Sequence, residues 1–67
     1  MFFEVGYQFD DSMYSINLIE AKEIADADAE AQKRADKFGY KVAYCNAVNE
    51  SYAEEMKRKG MPVIKLC

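Results

Sequence analysis

A chain of 67 residues makes one small domain, and a domain of this size buries only about 60% of the surface that its unfolded form exposes. Hydrophobic residues at 51% and aromatics at 13% hold too much apolar surface for a disordered segment, while a net charge of −3 argues against sequence-independent binding to nucleic acid. The absence of histidine, with only Cys45 and Cys67 and no CxxC pair, excludes a structural zinc site and removes the usual base of nucleophilic catalysis, so no metal or organic cofactor is expected.

In Phe2 to Phe9, the apolar residues Phe3, Val5, Tyr7 and Phe9 alternate with Glu4, Gly6 and Gln8, the period of a half-buried strand. Asp10, Asp11 and Ser12 are turn formers, and the stretch from Met13 to about Ile24 resumes with Tyr14, Ile16 and Leu18 on one face, completing a β-hairpin. The adjacent apolar pair Leu18 and Ile19 changes the phase of the alternation, which a bulge would explain. The alternative is a long helix capped by Asn17 with Glu20, but at about 20 residues it would span roughly 30 Å, the width of a whole small domain.

From Asp26 the sequence is alanine-rich, and Ala27, Ala31, Ala35 and Phe38 fall on one face of the main helix. Asp26 and Asp28 suit its positive end, Lys33, Arg34 and Lys37 its other end, and Gly39 supplies a left-handed exit. Glu30 and Arg34 stand four apart as a favourable pair. A buried face of alanine lets the helix lie close to the sheet, so large sheet residues must fill the remaining space. Tyr40 to Val48 reads as a third strand, with Tyr40, Val42, Tyr44 and Val48 on one face and Asn46 interrupting them. A short helix follows from Asn49 to Ser51 onward, with Ser51 and Glu54 as a capping box, Tyr52, Ala53 and Met56 as its inward stripe, and Gly60 at its end. After Pro62, Val63 to Cys67 forms a last strand, and the short helix is the crossover that brings it back to the sheet in parallel. The expectation is a single α+β domain over 1–67, with the order ββαβαβ and a small, mostly antiparallel single-layer sheet packed by one main helix and one short helix.

Residues that could carry chemistry have structural roles that suffice. Cys45, in a strand, behaves as a small core residue, and Cys67, ending the sequence, is a candidate for adventitious oxidation. Asp10 with Asp11 is turn chemistry, Asp26 with Asp28 is helix capping, and Lys57, Arg58 and Lys59 match the negative end of a helix, with Lys65 beyond. No phosphate-cradling glycine motif occurs. No apolar leader precedes the first strand and no apolar run approaches the roughly 20 residues of a membrane span, so the expectation is a cytoplasmic protein with reduced thiols and no membrane partner.

Elimination leaves a non-catalytic binding module or small inhibitor acting through protein–protein contacts, of the kind encoded by phages and mobile elements. Two surfaces are candidates. One is an acidic edge, where Glu20, Glu23, Asp26, Asp28 and Glu30 stand against a single Lys22; the other is an open sheet face carrying Phe2, Tyr14, Tyr40 or Tyr44, tyrosine being favoured at interfaces. The alternative is a homodimer through an edge strand or the aromatic face, and an enzyme using carboxylates or Cys45 comes last.

Overall fold

The computed structural model describes residues 1–11 and 13–66, so Ser12 of the expected turn, and Cys67 with its expected oxidation, lie outside it. Strands β1 (Phe2–Asp10) and β2 (Met13–Glu20) form the hairpin, followed by helix α1 (Ile24–Phe38), strand β3 (Lys41–Val48), helix α2 (Glu50–Arg58) and strand β4 (Val63–Lys65). One four-stranded sheet has the order β3-β1-β2-β4; β1 is antiparallel to both neighbours, and β4 runs parallel to β2. This is the expected α+β class and element order. No described helix is long and apolar enough to cross a membrane.

Several local expectations change. Strand β2 stops at Glu20 because β1 has reached its last ladder position there: Phe2 faces Glu20, and Ala21 N–H donates to the Met1 carbonyl. Ile24 therefore opens α1 rather than closing a strand, and Asn17 lies inside β2 rather than capping a helix. No bulge occurs at Leu18 and Ile19, where the pairing is regular; the β1–β2 irregularity falls between Gln8 and Asp10. Glu23 precedes α1 without a side-chain cap, Asp26 sits in the first turn, and Gly39 at φ 74° makes the left-handed exit. Helix α2 is capped by Asn49, whose side chain accepts from Tyr52 N–H at 2.8 Å; Ser51 lies inside the helix, so the expected capping box does not form.

Strands β2, β3 and β4 all run the same way, and the two helices are the crossovers between them. Helix α1 carries the chain from β2 over β1 to β3, while α2 carries it back past β1 and β2 to β4. Parallel crossovers share one hand, so two that travel in opposite directions must pass over opposite faces. The core divides accordingly. Phe3, Val5, Tyr7 and Ile19 pack against Ala27, Ala31 and Ala35 of α1, while Phe2 and Leu18 pack against Ala53 of α2 with Val48, Met56 and Met61. Leu18 and Ile19 are both buried because each serves a different layer, which explains the change of phase in the sequence. Each face of the sheet is thus covered in part by one helix. Phe38, expected on the buried stripe of α1, is 53% exposed.

Strand β3 also differs from its expected alternation. Its pairing with β1 shifts register between Gly6↔Tyr44 and Tyr7↔Val42, leaving Ala43 as an extra residue. The extra residue inverts the phase. Tyr40, Val42 and Cys45 therefore pack toward the α1 core, while Val48 packs with α2.

Candidate functional site

The α2 face holds a carboxylate between two phenols. Tyr44, turned to this face by the bulge, lies over Gly6, where a β-carbon would collide with the ring. Its hydroxyl donates to Glu4 Oε2 at 2.6 Å, and the Tyr52 hydroxyl of α2 donates to Glu4 Oε1. Glu4 on the central strand thereby joins β3 and α2 to β1. Burial, with the bond to Glu4, pushes the Tyr44 phenol from 10.0 up to about 12, and the bond to Glu4 raises that of Tyr52. Both phenols are held protonated at neutral pH, so the cluster acts as a clamp.

The α1 face holds a groove. Helix α1 covers β1 and β3, and leaves a cavity of about 200 Å³ on its other flank, lined by Tyr7, Asn17, Arg34, Phe38, Tyr40 and Ile64 among others. Tyr7 and Asn17 are diagonal neighbours on one face of the hairpin, since Tyr7 pairs with Ser15 and Asn17 with Val5. Both are deeply buried, at 5% and 7% exposure, and their side chains meet in a weak hydrogen bond, with no other partner for the Tyr7 hydroxyl or Asn17 Oδ1. Burial raises the Tyr7 phenol above its ordinary value, against the pull of the Arg34 guanidinium and of the hydrogen bond from the Asn17 side chain. Arg34 is the only charged residue among the described residues of this lining, and its ion pair with Glu30 is long, at 4.0 Å. A second, more open depression lies beside α1, lined by Asp26, Glu30 and Lys33 among others. The groove has an aromatic end, where the Tyr40 ring stacks on Phe38 at 5.8 Å and meets Phe9 at 5.1 Å.

The residues expected to bind a partner do not converge. Tyr14 is 58% exposed on the α2 face, Tyr44 is committed to Glu4, and Tyr40 closes the aromatic end of the groove on the α1 face. Glu20 ends β2 opposite Lys65, and Glu23 is exposed ahead of α1. Of the five, only Tyr40 belongs to the groove. Tyr7, Asn17 and Arg34 were passed over because each has an ordinary place in its local pattern; Asn17, a polar residue next to two buried ones in β2, was the available signal. Cys45 packs against the α1 core, and burial raises its thiol, which disfavours the thiolate. Among the described residues no cluster of three or more carboxylates and thiols could hold a metal. The fold and groove define a small α+β domain with a helix on each face of its sheet. No protein-family profile, curated protein or solved structure matches the chain.

Proposed function

We propose that this protein is a non-catalytic binding module that seats a segment of a partner protein in the groove beside α1. The observation that supports this reading is a cavity walled by two buried polar side chains, Tyr7 and Asn17, whose only hydrogen bond with each other is weak. The cavity is smaller than the roughly 300–1,000 Å³ of a drug-sized site, and suits one anchoring side chain at the centre of a larger contact.

Ser15 is exposed at the mouth of the groove, so a Ser15→Trp variant fills it without touching the core. Capture of partners from the host with this variant should lose whatever the unmodified protein retains, while a Glu20→Lys, Glu23→Lys variant retains it. The reverse pattern moves the contact to the acidic edge.

The sheet edges favour a protein that works as a single copy. The outer edge of β3 is bulged at Ala43 and begins with Lys41, while β4 is three residues long and ends with Lys65, features that discourage edge-to-edge pairing. Sedimentation at micromolar concentration should show a monomer; a stable dimer would restore self-association as the function.

A further inference from the structure

The mouth of the groove joins exposed apolar side chains to positive charge that the protein does not neutralise. Phe38 is 53% and Ile16 40% exposed, with Pro62 open beside the half-buried Ile64 and Tyr40, so this apolar surface is accessible without any movement of its walls. Cations of α1 flank it. Lys33 and Lys37 stand one turn apart, with Arg34 on the same side of the helix. Arg34 lines the groove, Lys37 Nζ lies 5.6 Å from the centre of the Phe38 ring, and Lys33 lines the neighbouring depression. Among the described residues neither lysine makes an ion pair, and Arg34 has only the 4.0 Å contact with Glu30. Asp36 lies on the far side of the helix from Arg34 and accepts from Gln32 at 2.9 Å, while Asp10 and Asp11 belong to a separate depression around Phe9 and Lys41.

We infer that the partner segment is acidic, with an apolar side chain seated against Phe38 and Ile64 and carboxylates beside it that meet Arg34, Lys33 and Lys37. The inference rests on the groove being the binding surface. A basic segment would face three like charges on one flank, and a neutral one would leave them unmatched. A carboxylate accepts two N–H bonds from a guanidinium in one plane, and the long contact with Glu30 leaves Arg34 donors free to make them. Exposed charges contribute selectivity and a faster approach more than affinity, so the apolar anchor supplies most of the binding and the cations choose among segments that carry one. Nucleic acid is the other polyanion, but its binding relies on a surplus of cations that a chain of net charge −3 lacks.

The test is a titration of isotope-labelled protein, followed by backbone amide shifts, with three blocked pentapeptides: Glu-Glu-Leu-Glu-Glu and its counterparts with glutamine or lysine in place of every glutamate. The acidic peptide should shift 33–38 and Ile64 while leaving 52–56 on α2 unmoved. It should bind about tenfold more tightly than the glutamine peptide, the sum of two or three exposed ion pairs, and the lysine peptide should not bind. Added salt should shrink the difference. Lys33→Gln with Lys37→Gln should remove most of the preference, whereas Lys41→Gln with Lys59→Gln, which takes the same charge from elsewhere on the surface, should keep it. Ser15→Trp should block the acidic peptide. Equal affinity for the three peptides overturns the acidic assignment, as does equal loss in both double variants or an absence of localised shifts. A thymidine pentanucleotide that shifts 33–38 and binds more tightly than the acidic peptide would replace the protein segment by nucleic acid. If the peptides fail while Ser15→Trp still loses the captured partner, the groove remains the contact surface and only the acidic chemistry falls; if Ser15→Trp keeps that partner, the groove falls as well.

Discussion

Gly6 shows how much one missing side chain decides. The Tyr44 ring occupies the place of its β-carbon, and that position lets the Tyr44 hydroxyl reach Glu4. Gly6→Ala should expel the ring and cost about 1–3 kcal/mol, read as a lower urea midpoint. A domain of this size has a total of about 3–10 kcal/mol, so the loss would be plain. The same phenol makes stability depend on alkali. In the unfolded chain Tyr44 titrates near 10.0, and in the fold at about 12. Below pH 10 it is neutral in both states and its contribution is complete. Between pH 10 and 12 the unfolded chain releases the proton that the folded protein keeps, so stability falls as pH rises. Urea midpoints across that range should decline, and Tyr44→Phe should flatten part of the slope, with Tyr7 and Tyr52, also raised, supplying the rest. An unchanged slope in Tyr44→Phe would remove Tyr44 as its source.

At the level of the element, the two helices are stabilised differently. Helix α1 relies on its alanine stripe against Phe3, Val5, Tyr7 and Ile19, with no side-chain cap at its start. The shorter α2 relies on Ala53 against Phe2 and Leu18 and on its Asn49 cap, while the pairs Glu54–Lys57 at 3.0 Å and Glu55–Lys59 at 3.5 Å are exposed and contribute little. Asn49→Ala should cost about 1 kcal/mol, whereas Ser51→Ala should be near neutral; equal effects in thermal or urea unfolding would contradict the observed cap. The alanine stripe, the Gly39 exit and the strand identities were legible in the sequence because each rests on short-range periodicity. The phase of β3 was not, since an extra residue at Ala43 is visible only once the strand is paired with β1. The groove was hidden for a related reason: Tyr7 and Asn17 belong to different strands, and only the hairpin register makes them neighbours.

For the whole molecule, the reversal of crossover direction makes β1 and β2 the shared support of both layers. Phe2 and Phe3, adjacent in β1, are buried on opposite faces, as are Leu18 and Ile19 in β2. The two layers should therefore unfold together rather than as separate units. Native-state hydrogen exchange should find the β1 amides slowest, at the free energy of global unfolding, with β4 exchanging well ahead of them. Protection concentrated in α1 instead would show that the α1 layer outlasts the sheet.

The stripe of Ala27, Ala31 and Ala35, each fully buried, also has a consequence for ancestry. A scan of all substitutions should show three intolerant positions at four-residue intervals within a permissive helix, because any longer side chain there would push α1 off the sheet. Coupled to them should be Gly6 with Tyr44, which can change only together. A distant relative could keep little else of this sequence and still be recognised by that spacing of alanines, a glycine four residues after the last, and a glycine in the first strand matched by an aromatic in the third.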